Sequence, residues 1–171
     1  MPCCWLMPML PIAEWLTLLA VQAGAAATLT GLVFVAVSIN LARIVEVPGL
    51  SGRAAESILQ FLQVFFLCTV VMIPRQPITE VAAEVLGIAL LSWGMQLVSH
   101  VQYSKARSGH PLWWLIVRIA ETQLASIPLF VGGIYLLIGS PVGLYWLVPG
   151  FIFSFIAGVA NTWVLLIEIV R

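Results

Sequence analysis

Charge is so scarce in this chain that it acts as punctuation between long apolar runs, and this pattern limits the fold more than any motif does. Seven acidic and seven basic side chains serve 171 residues; none of the acids is Asp, and Lys105 is the only Lys. Charged residues make up 8% of the chain and hydrophobic residues 62%. A soluble domain is usually about 25% charged, because its outer surface must be wetted. A soluble particle built from this sequence would expose large apolar patches. Lipid is the solvent that suits it.

A membrane span needs about 20 mostly apolar residues to cross about 30 Å of hydrocarbon. Five runs meet that length: about 14–42, 53–73, 78–103, 111–138 and 143–170. Turn-forming residues divide them: Pro48, Gly49, Ser51 and Gly52, then Pro74 and Pro77, then Ser108, Gly109 and Pro111, then Gly139, Ser140 and Pro141. Short connections make neighbouring spans antiparallel and adjacent. The expected fold is all-α, a polytopic membrane protein with one bundle of five transmembrane helices. The fifth run has an alternative start at Pro149, which would leave Leu144, Tyr145 and Trp146 as an interfacial anchor. Residues 1–13 read as an interfacial lead-in, where Pro2, Pro8 and Pro11 interrupt any helix. No Lys or Arg precedes its apolar stretch, so it lacks the charged start of a signal peptide.

Arg and Lys also predict direction, since cytoplasmic connections carry an excess of them. With the N-terminus outside, Arg43, Arg53, Lys105, Arg107, Arg118 and Arg171 fall on the cytoplasmic side and Arg75 alone outside. The expected orientation is N-out/C-in.

In lipid, helices adhere through close packing of small residues. Gly150, Ser154, Gly158 and Thr162 recur every four residues in the last span, and Gly24 and Gly31 flank a small-residue run in the first. Both read as packing faces, within one copy or between copies. Pro128 ahead of Gly132 and Gly133 predicts a bend in the fourth span.

Polar groups inside a membrane are expensive, so their positions carry the functional reading. Glu56, Gln60 and Gln63 share one face of the second span; Ser92, Gln96, Ser99 and His100 mark the third. The fourth holds Arg118, Glu121, Thr122, Gln123 and Ser126, and the fifth Asn161 and Glu168. Under the expected topology these groups converge on the cytoplasmic half, leaving mainly Gln22 and Glu84 in the outer half. Two readings fit. Either Arg118 pairs with Glu121 or Glu56 while the amides cross-link the helices, or Glu56, Gln60, Gln63, Gln96, His100, Arg118, Glu121 and Asn161 line a vestibule for an ion, a proton or a small polar ligand.

Several chemistries lack material. There is no phosphate-binding loop, no zinc-protease motif and no nucleophile elbow. Two His and no Asp leave almost nothing for a metal site or a Ser-His-Asp triad. Cys3, Cys4 and Cys68 have no metal-ligand spacing. A formal net charge of zero argues against nucleic acid as a partner. No enzymatic activity, cofactor or metal is expected. The expected partners are the bilayer, another membrane protein or a second copy.

Residues 24–44 (GAAATLTGLVFVAVSINLARI) and 161–171 (NTWVLLIEIVR) resemble the first and last helices of a group of small, uncharacterised bacterial inner-membrane proteins. The resemblance implies a bacterial plasma-membrane location and carries no mechanism, catalytic residue or ligand. The function expected from all this is a membrane-embedded interaction or regulatory protein; the alternative is a homo-oligomeric channel or small-solute transporter.

Overall fold

The computed structural model describes residues 12–47, 49–106 and 112–170. Most of the lead-in, including Cys3, Cys4 and Trp5, lies outside the described residues, as do Arg107, His110 and Arg171. The described chain is all-helical: α1 (Ile12–Ile39), α2 (Leu41–Glu46), α3 (Leu50–Val71), α4 (Ile78–Ala106), α5 (Leu112–Leu137) and α6 (Gly143–Val170). Five of these, all but α2, are long and apolar enough to cross a membrane.

Four helices form a ring. α3 packs on α4, α4 on α5, α5 on α6, and α6 back on α3. α1 stands outside this ring against α3 and meets α6 only marginally. The ring has two unlike ends. At the end where α1 and α6 begin, Val64, Leu67, Val71, Val81, Val85, Leu136, Leu147 and Phe151 fill an apolar core. Trp15 and Tyr145 meet edge to face there, with centroids 4.8 Å apart, tying α1 to α6. At the other end lies α2, where Ile44 is buried with Leu50, Ala54 and Leu165.

Two boundaries differ from the sequence reading, each for a local reason, and a third follows the first of the two starts it offered. The first span does not run unbroken to residue 42: the helix breaks at Asn40, whose side-chain amide bonds the Ala36 carbonyl at 2.8 Å, and α2 resumes beyond it. α3 starts at Leu50 rather than residue 53 because Gly49, at φ 89°, supplies the left-handed turn. α6 starts at Gly143, so the late start at Pro149 does not occur; Pro149 lies inside the helix. Tyr145 and Trp146 remain exposed even so. α5 closes as the sequence suggests: Gly139 takes φ 81°, and the N–H groups of Gly139 and Ser140 return to the carbonyls of Leu136 and Tyr135.

Small residues set the helix spacing. A Cβ on Gly158 would lie 2.5 Å from the Phe61 ring of α3, and one on Gly132 would lie 2.9 Å from the Gly143 carbonyl of α6. Gly133, next in sequence, faces Leu86 of α4 instead, at 2.6 Å. The Gly132–Gly133 pair therefore lets α5 approach both neighbours, and α5 continues unbroken through Pro128.

Candidate functional site

The polar side chains that meet across the ring helices lie between the α2 end and the middle of the bundle, in two layers. The deeper one is built from amides. Gln60 of α3 donates to the Gln96 carbonyl oxygen of α4 at 2.7 Å. Gln63 donates to Gln60 at 2.9 Å and to the Ser154 hydroxyl of α6 at 2.6 Å. Ser154 passes its own hydrogen bond to the Gly150 carbonyl at 2.8 Å. These bonds run between neighbouring helices or back one turn, so α3, α4 and α6 are tied together at one level.

The second layer is charged and centres on one carboxylate oxygen. Glu56 Oε1 accepts from Arg118 of α5 at 2.5 Å and from the Ser99 hydroxyl of α4 at 2.6 Å. His100 Nδ1 lies 3.6 Å from the same oxygen, and its Nε2 is 2.9 Å from the Thr122 hydroxyl. Thr122 in turn donates to the Arg118 carbonyl at 3.0 Å. Glu56 and Arg118 are each only 3% exposed. An ion pair sequestered to that degree must satisfy its charges internally. Three helices contribute to it, so the geometry is fixed from three sides.

Of the eight polar residues singled out in the sequence, the structure joins six: Glu56, Gln60, Gln63, Gln96, His100 and Arg118. Glu121 is half-buried beside them, with Arg53 and Arg118 as the positive charges acting on it. Asn161 is buried on α6 and is bonded to none of them. The partner of Arg118 in this network is Glu56, one of the two that the sequence offered. Ser154 stands out as a residue whose second role the sequence reading missed. Its four-residue spacing marked it for packing, yet its hydroxyl is also the α6 end of the amide layer. Ser126 Oγ, Gln63 Oε1 and Gln96 Nε2 are buried without a hydrogen-bond partner among the described residues.

The helix-packing candidates separate by location. Gly150 and Gly158 sit against Leu129 and Phe61, inside the bundle. Thr162 bonds the Gly158 carbonyl at 2.8 Å. Gly24 and Gly31 are exposed, with no atom within 4 Å of a Cβ placed on either, so they pack against nothing within the described chain. Glu84 lies in the opposite half, half-buried, with Oε2 unpartnered among the described residues. Among those residues no group of three His, Cys, Asp or Glu side chains is placed to hold a metal ion.

Set against known proteins, the chain matches no family, no curated protein and no solved structure. The reading of its function therefore rests on the geometry above.

Proposed function

We propose that this chain is a non-enzymatic, membrane-embedded interaction or regulatory protein of a bacterial plasma membrane, oriented N-out/C-in. One observation carries the reading. The buried polar side chains cross-link α3, α4, α5 and α6 between the α2 end and the middle of the bundle, and an apolar core closes the other end. A polar track from one end of the ring to the other would have to pass Leu67, Val71, Val81 and Val85, all fully buried. Such a bundle is a rigid platform, and its short connections and α2 are what it presents to a partner.

Self-association into a channel is the second reading, supported by the outward-facing Gly24 and Gly31 on α1. Small residues of that kind let helices of two copies approach closely. Ion flux into vesicles carrying the purified protein decides between them. The platform reading expects flux equal to that of empty vesicles, unchanged by Arg118→Gln or Glu121→Gln. A conductance that either substitution alters would establish the channel. In native membranes, photo-crosslinkers at the exposed positions Glu46 and Ser51 should yield a discrete adduct with a second protein. Adducts to lipid alone would sink the platform reading.

A further inference from the structure

The ring of α3 to α6 leaves α1 with one firm neighbour, and a cleft results. α1 lies along α3 but only brushes α6, so a groove of about 280 Å³ opens between α1 and α6 with Phe61 of α3 as one of its lining residues. Leu32, Val33 and Ala36 form one wall, and Val159 and Trp163 the other. Thr162 also lines it, but its hydroxyl is already bonded to the Gly158 carbonyl. An adjoining depression on α6 shares Val159 and Trp163 and extends the apolar surface to Phe155.

Size and length restrict the occupant. A helix with its side chains is about 10 Å across, whereas an alkyl chain is much thinner and can lie along the apolar lining between α1 and α6. From Phe155 to Leu166 the lining runs about 16 Å at the helical rise. That is close to half of the roughly 30 Å hydrocarbon thickness, the length of one leaflet.

Ile44 of α2 is buried in one cluster with Leu50, Ala54 and Leu165, and Val37 packs against it, so α2 lies at the same end of the bundle as Ala36 and Leu166. Arg43, adjacent to Ile44, is exposed there. Glu46 follows three residues later, so α2 carries one cation and one carboxylate rather than a polybasic surface.

We infer that the α1–α6 cleft is a binding site for a single phospholipid, with an acyl chain in the groove and its phosphate at Arg43. The inference rests on the membrane spans and on no part of the platform reading, so each can fail alone. The full chain is reconstituted in vesicles of phosphatidylethanolamine and phosphatidylglycerol, re-extracted in a mild non-ionic detergent and weighed by native mass spectrometry. The wild type should retain one phospholipid mass per monomer. Ala36→Trp, which fills the groove, should lose it, whereas Val35→Trp, the same bulk at an exposed position, should keep it. Arg43→Gln should lower occupancy about fivefold, the effect of one basic residue at a lipid surface. Arg43 is exposed, so this variant tests the site even where Ala36→Trp fails to fold. A wild type without a retained lipid, occupancy untouched by Arg43→Gln, or a lipid-free dimer that Ala36→Trp disrupts would each overturn the inference.

Discussion

Glu56 Oε1 is shared by Arg118 and Ser99, with His100 close by, so three helices depend on one atom. The amide layer spreads its bonds over Gln60, Gln63, Gln96 and Ser154. These arrangements should respond differently to mutation. Removing one partner of a buried ion pair leaves an uncompensated charge, at a cost of about 3–5 kcal/mol. An interhelical amide bond in a membrane protein contributes about 0.6–2 kcal/mol. Equilibrium unfolding in mixed detergent micelles should therefore show Glu56→Gln destabilising by about 3–5 kcal/mol. Gln60→Leu should cost at most about 2 kcal/mol. Replacing both Glu56 and Arg118 by Leu should recover most of the loss, because no charge remains buried. Equal effects of Glu56→Gln and Gln60→Leu would show that the ion pair does not anchor the bundle. At this scale the level of each polar group along its helix was legible from the sequence, since span order and helical rise determine it. It left Arg118 a choice between Glu121 and Glu56, because that choice depends on how the helices are rotated about their axes.

At the scale of the element, the same lesson appears in the glycines. Small residues marked packing faces on α1 and α6 alike, yet the two faces have opposite fates. The α6 ridge meets Leu129 and Phe61, while Gly24 and Gly31 face outward. Spacing identifies a face that permits close approach; only the packing of the ring decides what approaches it. Phe61 is 1% exposed, and a Cβ on Gly158 would lie 2.5 and 2.6 Å from two of its ring carbons. Gly158→Ala should therefore destabilise by about 1–3 kcal/mol through overpacking. Gly24→Ala and Gly31→Ala meet no atom, and Ala favours a helix interior over Gly by about 1 kcal/mol. Those two variants should melt at or slightly above the wild-type temperature in detergent. A destabilised Gly31→Ala variant would place a second copy against α1. The break at Asn40 was not legible, because an apolar run continues on both sides of it. At the break the Asn40 side-chain amide bonds the Ala36 carbonyl.

For the whole molecule, the two halves of the bundle set a direction. Glu56 and Arg118 lie toward the α2 end, with the amides between them and the middle of the bundle, and that same end carries most of the basic residues. The sequence places Arg43, Arg53, Lys105, Arg107, Arg118 and Arg171 at this end and only Arg75 at the other. Orientation follows the distribution of Lys and Arg in short connections, with Glu contributing little. The six-to-one bias should therefore hold the α2 end in the cytoplasm. A C-terminal fluorescent protein that matures only in the cytoplasm should glow, and a C-terminal phosphatase active only outside should be silent. The bias can also be weakened deliberately. Arg43→Gln and Arg107→Gln reduce the inner count from six to four, while Gln76→Lys and Thr79→Lys raise the outer count from one to three. With four against three, both reporters should become active, as the chain inserts in both directions. A phosphatase active on the unmodified chain would reverse the map. The cross-linked polar half would then face outward, and the partner of the platform would have to be sought on that side.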